Sequence, residues 1–283
     1  PDAATIQQVA DLTSEFAQCT KQELSLKKSF AFCTKGGEDC SVTLHGSRMK
    51  LVTDAKILGA HISFRGDRLT EPLQENTNIA KLIASRIMFA PLTFDQRALL
   101  VRALVTSKVV FGSAVAAVPW NDLKKLRTVA SSAIWGRRSR FRCHEIMFSM
   151  LCHGHAIDPV WAVAYDAFLV CGRVLHRQPE LVPLFGRVWQ LRVGTRASLV
   201  GPVGNLCNAA KQLGFSWSAP CVLTARIWDR RQLSFLHLDA REFAHELREG
   251  ARHLFWSRAG CRRADLQGLE MGVDVEATTH SCE

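Results

Sequence analysis

The sequence has no Asp-Asp dipeptide, no Cys-x-x-Cys pair, no Asn-x-Ser/Thr acceptor and a single tyrosine. Two-metal chemistry on phosphate esters relies on clustered carboxylates. The early acids here, Asp2, Asp11, Glu15 and Glu23, sit on or beside one predicted helix, and no metal-binding set can be assembled from them. No catalytic residue is assigned. The ten cysteines, at 19, 33, 40, 143, 152, 171, 207, 221, 261 and 282, are irregularly spaced. That spacing gives neither a disulfide framework nor a standard zinc module. Reduced thiols in an intracellular protein, nuclear or cytoplasmic and not secreted, are expected. Pro1–Ala10 has neither a basic start nor an apolar stretch, so no signal peptide is read. The longest apolar run, Val109–Val118, is ten residues broken by Gly112 and Ser113, too short for a bilayer and read as a buried helix end.

What is present is a globular composition, 47% hydrophobic and 22% charged, with 15 Phe and 7 Trp to fill a core. Lysine and arginine number 36 against 26 acids, a net charge of +10 that points to a polyanionic partner. The surplus is concentrated. Between Trp120 and Arg142 lie Lys124, Lys125, Arg127, Arg137, Arg138, Arg140 and Arg142 against Asp122 alone, a surplus of six in 23 residues. Trp135 and Phe141 interleave with the arginines, a pattern that can clamp phosphates and stack a base. A basic loop between helices is the plainer reading of the same residues.

The periodicity predicts a helix over 2–18 with Ile6, Val9, Leu12 and Phe16 on one stripe. Short strands are expected at Ser29–Thr34, Ser41–Leu44, Arg48–Val52 and Ile57–Phe64, with a hairpin turn at His45-Gly46-Ser47. After Gly66 the pattern turns helical. Ile79, Leu82, Ile83 and Ile87 form one stripe; a second helix from Phe94 turns Leu99, Leu100, Ala103 and Leu104 inward. A third follows Pro119, capped by Asn121 or Asp122, and closes at Gly136. Further helices are expected at Arg142–Cys152, Pro159–His176, Pro179–Gln190 and Pro202–Leu213. Leu223–Trp256 reads as a long solvated helix or a helical pair, and the polar stretch beyond Cys261 as a frayed tail.

Other motifs carry less. Lys27-Lys28-Ser29 could place a lysine on a phosphate, although a solvated charge pair is the simpler reading. Cys143, His144, Cys152, His153 and His155 lack the close pairs of a zinc site, so no metal is assigned. His155 and Asp158 have no partnered nucleophile, and Asp158 before Pro159 fits a helix N-terminus. Val200-Gly-Pro-Val-Gly204 lacks the Lys-Ser/Thr of a phosphate loop and reads as a turn.

The order of segments resembles the reverse transcriptases of non-LTR (LINE-type) retrotransposons. In that family an aspartate loop precedes a palm helix, a Leu-Asn-x-x-Lys-Ser segment, a hairpin, a Leu-Gly motif near the primer and a helical thumb. Here helix 2–18 precedes Leu24-Ser25-Leu26-Lys27-Lys28-Ser29, with Ser25 in place of Asn and Lys28 on the family lysine. Lys56-Ile57-Leu58-Gly59-Ala60-His61-Ile62 is similar to the Leu-Gly motif, and Leu73 to Ile134 resemble the thumb. The likeness covers about residues 1–175 by segment order, and the aspartate motif would lie before Pro1.

The expected fold is therefore α+β and mainly α, a small antiparallel palm remnant followed by a helical thumb-like bundle. The expected domains are residues 1–66, 67–175, and a C-terminal extension at 176–283. The resemblance implies the C-terminal portion of an RNA-directed DNA polymerase that contacts RNA and DNA template–primer and is inactive alone. Its partner would be the missing N-terminal polymerase portion. It implies palm-edge positions at Lys28 and Ser29, a primer-grip-like pair at Leu58 and Gly59, and nucleic-acid contact by Lys124, Lys125, Arg127, Arg137, Arg138, Arg140 and Arg142. Mg2+ is expected only for the complete polymerase, with no cofactor in this chain and no membrane partner. The alternatives are a basic helical protein-interaction module and a non-functional mobile-element relic.

Overall fold

A computed structural model describes residues 3–32, 41–57, 60–63, 70–116, 118–136, 143–193, 201–226 and 230–268. The chain divides into two units, Pro1–Leu69 and Thr70–Glu283. The architecture is α+β and mainly α, as the periodicities imply.

The first unit opens with α1 (Ala3–Cys19). The strands β1 (Phe30–Ala31), β2 (Thr43–Leu44), β3 (Ser47–Arg48), β4 (Lys50–Leu51), β5 (Asp54–Ile57) and β6 (Ala60–Ser63) follow. β2 and β3 pair antiparallel across His45-Gly46, whose φ values of 50° and 72° make the turn that right-twisted strands favour. Gln7 docks α1 on this hairpin. Its Nε2 donates to the Thr43 carbonyl at 3.0 Å, and its Oε1 accepts the Thr43 N–H at 2.8 Å, so a side-chain amide stands in for a neighbouring strand.

Three expectations for this unit are corrected. Residues 57–64 are not one strand, because Ile57 pairs with Ala60 and Asp54 with Ser63 in an antiparallel hairpin. β1 and β4 pair parallel rather than antiparallel. The α1 stripe is corrected as well. Ala10 and Ala17 are buried, whereas Val9, Leu12 and Phe16 are each about 60% exposed. The small core of Ala10, Val42 and Leu44 requires close approach of helix and hairpin, and alanine permits that where the larger side chains do not.

The second unit begins with α2 (Glu71–Ile87), whose buried residues are Leu73, Thr77, Ala80, Ala84 and Ile87. They recur every three or four positions and face α5 (Trp120–Trp135), which turns Leu123, Leu126, Ala130 and Ala133 inward. Small residues on facing stripes bring the helices close, and Leu82, assigned to the core by size, lies 64% exposed. Between them α3 (Phe94–Leu100) starts on a reciprocal Thr93–Gln96 capping box and passes through a π-helical stretch, Val101–Thr106, into α4 (Ser107–Val110). Ala98, Val101, Val105 and Val109 are buried at spacings of three and four, while Leu99, Ala103 and Leu104, expected to face inward, lie exposed on the adjoining face.

The chain continues through α6 (His144–Ile146), a π-helical turn at Met147–Leu151, α7 (Gly154–Ile157), α8 (Pro159–Arg177), α9 (Val182–Val193) and α10 (Gly201–Gln212). Gly201–Gly204, read as a turn, is the first turn of α10. The segment after it is the largest departure from the sequence reading. Instead of a helix it forms an antiparallel meander of β7 (Phe215–Ala219), β8 (Val222–Ala225) and β9 (Gln232–Ser234), and only then α11 (Ala240–Arg262). The two-residue period was present: Leu223 and Ala225, then Leu233 and Phe235, are buried. The charges at 226–231 masked it. Phe235, Phe168, Phe185, Phe243 and Trp217 interlock beneath the meander, ring centroids 5.7–6.3 Å apart. Each fully buried ring contributes about 2–3 kcal/mol. One apolar core runs from Ala80 on α2 to Phe255 on α11, crossing position 175 without a break.

Candidate nucleic-acid interface

The basic stretch starts on α5, whose inward stripe leaves Lys124 and Lys125 exposed. Asp122 offsets part of the charge of Lys125 and of Lys81 on α2, with its Oδ1 3.6 Å from Lys125 Nζ and 3.8 Å from Lys81 Nζ. At these distances, with Lys125 in water, such pairs contribute little. Trp135 ends the helix, 41% exposed and packed edge-on against Phe94 with centroids 5.9 Å apart. Gly136 follows at φ 87°, where a side chain would be strained, and ends the helix. Arg137, Arg138, Arg140 and Arg142 lie outside the described residues, as do Leu58 and Gly59.

Arg127 has a different role from its neighbours. Its Nε donates to Asp158 Oδ1 at 2.8 Å, and its Nη2 lies 2.7 Å from Asp158 Oδ2. The Asp158 side chain has no solvent exposure, and the Arg127 guanidinium also stacks over the Phe255 ring at 5.2 Å. Asp158 Oδ1 accepts the Val160 N–H at 2.9 Å and caps α8. Arg127 thus ties α5 to α8 and α11 from inside and presents no free guanidinium to a phosphate. Contiguity in sequence grouped it with Lys124 and Lys125; helical phase separates them.

In the first unit Lys28 ends a short 3-10 turn, and Ser29 Oγ donates to the Ser25 carbonyl at 3.0 Å. Both line a cleft of about 650 Å³ whose remaining wall, including Ile6, Leu24, Phe30 and Leu51, is apolar apart from Thr13. Lys28 is exposed at its rim, so the pair is available to solvent.

His155 packs edge-on against Tyr165, centroids 5.4 Å apart, and against Trp161 at 6.4 Å. Burial, reinforced by Arg248, His153, Arg102 and Arg252, lowers its pKa to about 4 from 6.5. The unfolded chain therefore binds the proton more readily. The contribution of His155 to stability is complete above about pH 6.5 and is lost as pH falls toward 4. The urea midpoint is expected to drop between pH 7 and 5, and His155→Gln is expected to flatten that drop; an unchanged slope would remove His155 as the cause. The thiols of Cys152 and Cys171 are pushed up to about 12 by burial. At pH 8 they are expected to resist thiol reagents that label the exposed Cys19 and Cys261.

Among the described residues no three His, Cys, Asp or Glu side chains converge to hold a metal ion, and no helix is long and apolar enough to cross a membrane. The sequence reading missed a second basic site altogether. Arg173 and Arg177 on α8, and Arg241 and Arg248 on α11, line one cleft. Their spacings of four and seven put each pair on one helical face, a signal diluted on α11 by Glu242 and Glu246. No protein-family model, curated protein or solved structure matches this chain.

Proposed function

We propose that the chain is the thumb-side portion of an RNA-directed DNA polymerase of the non-LTR retrotransposon type, holding template–primer by its backbone without performing chemistry. The observation that carries the contact is the exposure of Lys124 and Lys125 on the helix that precedes Arg137–Arg142 in the sequence. The Leu24–Ser29 and Leu58–Gly59 resemblances support the family. The contacting set is Lys124, Lys125, Arg137, Arg138, Arg140 and Arg142, without Arg127.

Binding of an RNA–DNA duplex across a salt series tests it. Affinity is expected to fall steeply with salt, and each lysine or arginine changed to Ala is expected to reduce the slope by about one. Arg127→Ala is expected instead to lower stability. Duplex binding insensitive to salt, or equal in the variant lacking all six cations, overturns the proposal. Primer extension with Mg2+ or Mn2+ is expected to stay at background, since no Asp-Asp pair is present; template-dependent extension would show that the chain carries a site of its own.

A further inference from the structure

The cleft between the C-terminal half of α8 and the start of α11 has a volume of about 840 Å³, within the range of small-ligand sites. Four arginines line it, Arg173 and Arg177 from α8 and Arg241 and Arg248 from α11, together with His176. Asp239 is the one carboxylate in the wall, and its Oδ1 is engaged at 2.7 Å by the Arg241 N–H at the start of its own helix. Among the described residues none of the four arginines has a carboxylate within ion-pair distance, although Arg173 acts electrostatically on Asp166 of α8. Arg248 is half-buried and held by donation from its Nη1 to Tyr165 Oη at 3.1 Å. The floor is apolar, formed by Leu169, Gly172, Phe235 and Phe243. Along α8 Arg173 lies fifteen residues, about 22 Å, from Asp158, so this cleft is separate from the α5 surface.

We propose that this cleft binds a small organic phosphate, its phosphate groups on the arginines and its apolar body on the Leu169–Phe243 floor. Arginine at all four cationic positions matches the planar fork that grips oxyanions in pairs of hydrogen bonds. A phosphate, with three terminal oxygens and more than one negative charge, can engage guanidinium groups from both helices at once; a carboxylate has two oxygens and one charge. The volume suits a ligand of nucleotide dimensions.

Calorimetric titration of the full chain with ATP, pyrophosphate, citrate and a single-stranded oligonucleotide, at physiological salt without Mg2+, tests this. ATP is expected to bind saturably and more tightly than pyrophosphate, which shows the use of the floor. Pyrophosphate is expected to bind more tightly than citrate. Arg173→Ala with Arg241→Ala, both at exposed positions, is expected to weaken ATP at least tenfold with an unchanged circular dichroism spectrum. Arg173→Lys with Arg241→Lys, which keeps charge but loses the fork, is expected to weaken it by an intermediate factor. Lys124→Ala with Lys125→Ala is expected to leave ATP binding intact, so failure here and failure of the duplex proposal are separable. The assignment is overturned by absence of saturable ATP binding at millimolar concentration, by affinity unchanged in the double alanine variant, by citrate equal to pyrophosphate, or by an oligonucleotide that occupies the cleft in preference to ATP.

Discussion

Asp158→Ala is expected to destabilise the second unit by about 3–5 kcal/mol, the usual cost of leaving a buried charge without its partner. Asp158 is wholly buried, and its carboxylate does two jobs: it caps α8 through the Val160 N–H and neutralises Arg127, whose side chain is only 16% exposed. Asp158→Ser separates these. Serine can still cap, so that variant is expected to recover the capping part, about 1 kcal/mol, and leave the uncompensated arginine. Adding Arg127→Leu to Asp158→Ser removes the stranded charge and is expected to restore most of the remaining loss, because an apolar replacement of a buried pair is often neutral. For a unit of this size the single alanine change corresponds to a melting temperature about 10 °C lower. A shift within error of the parent would show that Arg127 reaches water when its partner is removed.

The second large effect is expected at Gly250, on the buried face of α11. A Cβ there would stand 2.2 Å from Phe215 Cζ and 2.6 Å from Cε2, and the Phe215 ring has no exposed surface into which to retreat. Gly250→Ala should therefore cost about 1–3 kcal/mol through overpacking, against the helix-propensity gain of about 1 kcal/mol that alanine would bring at an open site. Gly172 on α8 is the internal control. Its added Cβ would meet Phe243 at 3.8 Å, ordinary contact, so Gly172→Ala is expected to be neutral or stabilising. Phe215→Leu in the Gly250→Ala background should relieve the clash and bring the double variant above the sum of the singles. Simple additivity in denaturant titration would refute the ring-on-glycine contact.

Much of the fold was legible wherever one period dominated. The helix at α1, the hairpin at His45-Gly46, the Pro159 start of α8 and the Gly136 stop of α5 follow from propensity, turn chemistry and caps, which act within a few residues. The face that each helix buries was less legible. Val9, Leu12 and Phe16 on α1 and Leu82 on α2, chosen by size, point outward, because Ala10, Ala17, Ala80 and Ala84 allow the backbone approach that the packing requires. In the helix from Phe94 two adjacent stripes share the same period, and the one with Ala98, Val101, Val105 and Val109 is buried, not the one with the bulkier Leu99 and Leu104. The meander at 215–234 was hidden for the opposite reason: its strands are short, and charged residues interrupt the alternation.

For the candidate site, sequence alone determined the charge surplus, where it is concentrated and the absence of an Asp-Asp pair, since these are properties of composition and order. Only the tertiary structure decided which cations are free. It turned Arg127 inward onto a carboxylate 31 residues away while leaving Lys124 and Lys125 in water. It also brought Arg173 and Arg177 together with Arg241 and Arg248 across more than sixty positions of chain. A charge count is a sum over the chain, whereas a guanidinium's partner is set by which helices pack against each other, and that is decided by the apolar faces and not by the charges.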